Sequence, residues 1–81
     1  RMAYDSSNET RKELAKIRKN DKGEHIVITE ITNNSTGVCN IDIRLYYTNE
    51  GDGELRPTQK GVRFNAENLE EVIEALNQAV I

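Results

Sequence analysis

The segment from Ile41 to Asn65, IDIRLYYTNEGDGELRPTQKGVRFN, places four cationic side chains close to two adjacent tyrosines. The cations are Arg44, Arg56, Lys60 and Arg63, and the tyrosines are Tyr46 and Tyr47. Cationic side chains neutralise the phosphates of nucleic acid, and aromatic rings offer surfaces on which unstacked bases stack. This combination indicates contact with single-stranded nucleic acid, with Arg44, Arg56 and Lys60 meeting phosphates.

A structural interpretation of the same residues competes with this one. Arg44 would pair with a neighbouring acid such as Glu54, and Tyr46 or Tyr47 would belong to the core. Spacing alone favours this alternative. Strict alternation along a strand also puts Tyr47 on the face opposite Arg44 and leaves Tyr46 as its neighbour, so both tyrosines stay candidates for stacking.

Other chemistry has little support in the sequence. His25 is the one histidine and Cys39 the one cysteine, and a loop separates them, which argues against a zinc site or a Cys–His nucleophile. No glycine-rich phosphate loop precedes a helix. We therefore expect no enzyme, no metal and no cofactor.

Length and composition limit the class of protein. A chain of 81 residues is one domain at most, and a domain of this size buries only roughly 60% of its unfolded surface. Hydrophobic residues make up 36% of the chain, so we expect a homodimer that shares its core. No apolar run approaches the roughly 20 residues of a membrane span. A single cysteine favours a reduced, cytoplasmic setting.

The net charge of −3 is distributed unevenly along the chain. Residues 9–22 hold six bases and three acids, a balance of +3, whereas residues 66–81 hold four acids and no base, a balance of −4. A local basic surface decides whether an acidic protein can contact nucleic acid.

The pattern of residues predicts an α+β fold, with three or four antiparallel strands followed by one C-terminal helix packed on one face of the sheet. Residues 1–12 are predicted to be a disordered tail or an expression remnant, and residues 13–81 the domain. Residues 24–32 and 39–48 are rich in β-branched or alternating apolar residues, which is typical of strands. Residues 49–53 form a hairpin loop before a strand region at 54–65, in which Gly61 marks a bulge. Residues 13–20 fit either a helix or a short edge strand.

The C-terminal residues predict an amphipathic helix. Asn65 is suited to cap its N-terminus, and Glu67 stands in the first turn. Apolar residues recur at three- and four-residue spacing and make one stripe for the core or a dimer, namely Leu69, Val72, Ile73, Leu76 and Val80.

The run IDIRLYY, the acidic glycine hairpin, the Arg56–Pro57 pair and Lys60–Gly61 together resemble the C-terminal domain of the transcriptional positive cofactor 4 family. These proteins are single-stranded-DNA-binding coactivators. The resemblance implies a four-stranded antiparallel sheet followed by one helix, with residues 13–20 as its first strand. It also implies that the protein dimerises, with the helices contributing to the dimer. It also puts Arg44 at the family's strand arginine, Tyr47 at a DNA-stacking aromatic, and Arg56 and Lys60 at basic positions.

The sequence is compatible with two functions. The first is a non-catalytic single-stranded DNA binder, acting as a dimer in transcription, replication or repair, in the cytoplasm or, in a eukaryote, the nucleus. The second is a protein-interaction module on the same scaffold, in contact with transcription or replication proteins. The second strand favours this alternative because it lacks the basic and aromatic residues of several relatives.

Overall fold

The computed structural model describes residues 8–79, which form one antiparallel sheet and a C-terminal helical segment. The strands follow the order β1-β2-β3-β4 in the sheet. Their bounds are Glu9–Arg18 (β1), His25–Asn33 (β2), Cys39–Thr48 (β3) and Leu55–Asn65 (β4). A 3₁₀ turn at Ala66–Asn68 leads into helix α1, Leu69–Asn77. The predicted α+β architecture is confirmed.

Strand β1 settles the ambiguity of residues 13–20 in favour of a strand, which ends at Arg18. It pairs with β2 from Glu9 opposite Asn33 to Arg18 opposite His25, with one bulge between Glu13 and Ala15. Ladder hydrogen bonds with β2 outweigh the local helix propensity of this segment. The predicted boundary at residue 13 is wrong, because residues 9–12 are part of the sheet. The rest of the predicted tail, residues 1–7, lies outside the described residues.

Cross-strand register divides the side chains of the sheet between two faces, because directly opposite residues point to the same side. We call the first the polar face. Its members include Arg11, Glu13, Lys16, Arg18, His25, Val27, Thr29, Ile31, Asn40, Asp42, Arg44, Tyr46 and Arg63. We call the second the apolar face. Its members include Lys12, Ala15, Ile17, Ile26, Ile28, Ile41, Ile43, Leu45, Tyr47, Arg56, Val62 and Phe64.

Burial does not follow the simple expectation of one buried and one open face. Val27 and Ile31 on the polar face are 4% and 2% exposed, and Ile41 on the apolar face is also buried. Ile17 and Val62, at the two edges of the apolar face, are about half exposed. The long aliphatic stems of arginine and lysine cover apolar neighbours while their charged heads stay in water. The polar face can therefore hold core residues, and the apolar face stays partly open.

The helical segment begins as predicted but packs less closely than expected. The Asn65 side chain accepts a hydrogen bond from the Glu67 backbone N–H at 2.9 Å and caps the 3₁₀ turn. No residue of α1 is buried, and Ile73 and Leu76 are 48% and 63% exposed. Leu69 and Val72 are half-buried, and Val80 lies outside the described residues. A helix of nine residues thus leaves most of its apolar stripe uncovered by its own sheet.

None of the helices in residues 8–79 has the length and apolar character needed to cross a membrane.

Candidate nucleic-acid interface

A β-bulge of two extra residues in β4 shapes the candidate site. Arg44 and Tyr46 are two positions apart on β3, whereas their partners Gly61 and Pro57 are four apart on β4, so β4 carries two extra residues here. Gly61 allows the strands to approach, since a Cβ there would lie 2.8 Å from the carbonyl oxygen of Ile43. The bulge predicted from Gly61 is confirmed. Pro57 lies on an edge strand, where its missing N–H costs little.

Arg44 fastens this bulge to β3. Its Nε and Nη2 donate to the two carboxylate oxygens of Asp42 at 3.1 and 2.9 Å, and its Nη1 donates to the carbonyl oxygen of Thr58 at 3.0 Å. The bonds to Asp42 raise the pKa of Arg44 above its ordinary value. The Thr58 hydroxyl donates in turn to the Leu45 carbonyl at 2.8 Å. Three of the five N–H donors of Arg44 are therefore engaged within the fold.

Arg44 forms an ion pair with a neighbouring acid, as the structural interpretation predicted, but Glu54 was the wrong acid. Its partner is Asp42, which lies two residues earlier on the same face of β3, and not Glu54. Glu54 belongs to the hairpin loop, and its backbone N–H is bonded to the Asp52 side chain. Period-two alternation was the signal in the sequence that could have identified Asp42.

The two tyrosines lie on opposite faces, as strict alternation requires. Tyr46 is opposite His25 on β2 and shares the polar face with Arg44. Tyr47 is opposite Arg56 on β4, and it is 41% exposed whereas Tyr46 is half-buried. The predicted contact residues therefore separate into Arg44 with Tyr46 and Tyr47 with Arg56.

Arg56 and Lys60 differ in how freely their charges are available. Arg56 forms an ion pair with Asp52 of the hairpin loop, and both side chains are nearly half exposed. Exposed pairs of this kind contribute little to stability and are readily exchanged for another anion. Lys60 is exposed within the bulge, and its side chain makes no ion pair with any described residue. Its charge does reach Glu24, whose pKa is lowered chiefly by the hydrogen bond from Asn20 and further by Lys19 and Lys60.

The β1–β2 and β3–β4 hairpins lie side by side at one end of the sheet. The Thr48 hydroxyl donates to the Gly23 carbonyl oxygen at 2.7 Å and ties them together. Gly23 has φ +85°, and a Cβ there would lie 2.8 Å from that hydroxyl oxygen, so glycine is required. We call this end of the sheet the hairpin end. Its cations are Lys19, Lys22, Arg56 and Lys60, and the same two hairpins carry the acids Asp21, Glu24, Glu50, Asp52 and Glu54.

A family model described as Transcriptional Coactivator p15 (PC4) matches residues 34–75, which are 42 of the 81 residues. The chain belongs to this family. The match confirms the predicted resemblance, and it spans β3, β4 and most of α1. All five predicted contact residues therefore lie inside the part shared with the PC4 family. Comparisons with curated proteins and with solved structures found no match.

Several side chains that shape the site were not among the predicted contact residues. Asp42 and Thr58 hold Arg44, and both lie inside the segment matched to the PC4 family. Arg63 also approaches Asp42, with 3.9 Å between its Nε and Oδ1 of the carboxylate. Lys16 and Arg18 lie on β1, outside the matched segment. Their place on the polar face could not be inferred while residues 13–20 fitted two kinds of secondary structure.

Proposed function

We propose that this PC4-family protein is a non-catalytic single-stranded DNA-binding protein that acts as a dimer in transcription, replication or repair. One observation carries the proposal. Tyr47 presents an exposed ring directly opposite Arg56, and Lys60, which forms no ion pair with any described residue, lies in the bulge of the same strand as Arg56. An aromatic surface beside cations that follow a backbone suits unstacked bases and their phosphates.

The contact residues then have different roles. Tyr47 stacks on a base, and Arg56 and Lys60 meet phosphates, with Arg56 exchanging Asp52 for the nucleic acid. Arg44 chiefly positions the bulge that carries Lys60, because most of its donors already bind Asp42 and Thr58. Its two remaining N–H groups stay available to a phosphate on the polar face, beside Tyr46.

The test is a titration of labelled oligothymidine and of a duplex of equal length, at low and at physiological salt. We expect tighter binding to the single strand, because stacking on Tyr47 needs a base free of its own stack. The one α-helix within residues 8–79 carries Glu70, Glu71 and Glu74, so it is poorly suited to enter a groove of DNA. Equal or tighter binding to the duplex would overturn the proposal.

Lys60→Ala should weaken binding to every sequence alike. One phosphate contact fewer makes the log–log salt slope shallower by about 0.7 for single strands. The matched control is Lys12→Ala, which removes an exposed lysine from β1, far from the hairpin end. A Lys60→Ala slope equal to that of the parent and of Lys12→Ala would show that Lys60 meets no phosphate.

We further propose that the dimer covers the open stripe of α1. Ile73→Glu or Leu76→Glu should convert the protein to monomer, because a charge would be buried unpaired in the interface. Both positions are exposed in a single protomer, so the sheet should survive, and sedimentation together with circular dichroism separates dissociation from unfolding. Gln78→Glu, on the exposed end of the same segment, is the control for added charge. A parent protein that sediments as a stable monomer at micromolar concentration contradicts the dimer.

The alternative is a protein-interaction module with a weakened DNA surface. The observation that favours it is the β2–β3 connection, residues 34–38, which has no charged and no aromatic residue. Strand β2 likewise has no lysine or arginine. If neither the parent protein nor the Lys60 and Tyr47 variants show any binding to single-stranded DNA at low salt, this alternative replaces the DNA-binding proposal.

A further inference from the structure

The hairpin end, where we propose that phosphates bind, is acidic in sum. Its four cations stand against five acids, a balance of −1. Two of these cations already have partners within the hairpins, since Lys19 lies 3.6 Å from Glu24 and Arg56 is paired with Asp52. A phosphate that approaches this end therefore competes with carboxylates for part of the positive charge.

The hairpin loop holds Asp52 in place beside Arg56. The Oδ1 atom of Asp52 accepts a hydrogen bond from the Glu54 backbone N–H at 3.0 Å, and its Oδ2 accepts one from Nη2 of Arg56. Asn49 supports the loop, because its side-chain oxygen accepts from the backbone N–H groups of Gly51 and Asp52 at 2.8 and 3.3 Å. The carboxylate is thus positioned by backbone contacts that do not depend on the arginine.

Arg56 is the paired cation that matters for the proposed site. It lies directly opposite the exposed ring of Tyr47, so the phosphate beside a base stacked on that ring falls within its reach. Asp52 belongs to the same chain, four residues before Arg56, and its local concentration therefore does not fall on dilution. A phosphate has to compete with this intramolecular anion each time it binds.

The ion pair is weak enough to open and strong enough to affect affinity. Both side chains are nearly half exposed, and exposed ion pairs change an equilibrium constant by at most about fivefold. A phosphate of a single strand also releases condensed counterions when it meets a cation, which a side-chain carboxylate does not do. At low salt the phosphate therefore replaces Asp52, and the lost pair reduces the affinity by no more than that factor.

We infer that the pair between Asp52 and Arg56 is an autoinhibitory contact, in which a carboxylate of the hairpin loop occupies the guanidinium until a phosphate replaces it. The inference rests on the proposed function and adds a regulation of the same site. The contact keeps the affinity for single strands below the value that the site would otherwise reach. It also favours their release, because the fixed carboxylate is in place to take the arginine back.

The test compares Asp52→Ser with Glu50→Ser in titrations of a labelled oligothymidine of about 6 nucleotides at low salt. Both variants remove one exposed acid from the same loop, but the Glu50 side chain forms no ion pair with any residue in the range 8–79. A serine hydroxyl at position 52 can still accept a hydrogen bond from the Glu54 N–H, as serine does in turns. Asp52→Ser should bind about two- to fivefold more tightly than the parent, and Glu50→Ser nearly like the parent.

Arg56→Gln is the background that ties the effect to the ion pair. Adding Asp52→Ser to Arg56→Gln should give no more gain than adding Glu50→Ser, because no guanidinium remains to be released. Circular dichroism of each variant checks that the sheet is intact.

The outcomes separate this inference from the proposed function. If the parent binds and Asp52→Ser gains no more than Glu50→Ser, the contact is not autoinhibitory and the hairpin-end site stands. Weaker binding of Asp52→Ser also refutes the inference, because Asp52 would then orient Arg56 for the phosphate. A gain that persists in the Arg56→Gln background refutes it as well, since it reports overall charge. If neither the parent nor Asp52→Ser binds oligothymidine, the proposed function fails, and the inference fails with it.

Discussion

Asp42→Ala should lower the free energy of unfolding by about 2–4 kcal/mol. The Asp42 side chain is only 6% exposed, and its carboxylate is the counter-charge of Arg44 and lies close to Arg63. Removing one partner of a buried ion pair costs about 3–5 kcal/mol, because the other charge is left without compensation. Arg44 is 23% exposed, so water recovers part of this cost. Urea unfolding at a fixed protein concentration measures the difference.

Asp52→Ala is the matched control for this prediction. It removes the carboxylate partner of Arg56. This is another aspartate–arginine pair, but its two side chains are nearly half exposed. Pairs of that kind are worth about 0–1 kcal/mol. If Asp42→Ala costs no more than Asp52→Ala, then the bulge is held by its ladder hydrogen bonds and Thr58, and Arg44 does not fasten it.

Tyr47→Ala should weaken the binding of a short oligothymidine by about 1–3 kcal/mol, which is about 5- to 150-fold. The substitution removes a stacking surface and no charge, so the salt slope should stay unchanged. This separates it from Lys60→Ala, which changes the slope. Because Tyr47 is exposed and takes no part in the buried core, its loss should have little effect on the fold.

Tyr46→Ala is the control on the other face of the same strand. With an oligothymidine of about 6 nucleotides, held at the hairpin end alone, it should bind nearly as well as the parent. Tyr46 is half-buried, so circular dichroism must first show that this variant is folded. If Tyr46→Ala and not Tyr47→Ala carries the loss, then the short strand binds on the polar face beside Arg44, and the site proposed at the hairpin end is wrong.

Local patterns in the sequence were sufficient wherever neighbouring residues decide the outcome. The alternation of residues 39–48 defined β3 with its correct bounds and placed Tyr46 and Tyr47 on opposite faces. Gly61 indicated the bulge, and Asn65 the cap of the helical segment, because a missing Cβ and a short polar side chain each serve one local geometry. The motif from Ile41 to Gly61 was specific enough to indicate the PC4 family.

Only the tertiary structure decided which of these residues meet. Residues 13–20 have good helix formers, and the ladder with β2 made them a strand, which brought Lys16 and Arg18 onto the face of Arg44. The hydrogen bond from Arg44 to the Thr58 carbonyl depended on a two-residue bulge that takes β4 out of simple register, and no local pattern gives the size of such a bulge. Burial was equally non-local. Val27 and Ile31 are buried on the polar face, opposite arginine or lysine residues of neighbouring strands, whereas no residue of α1 is buried.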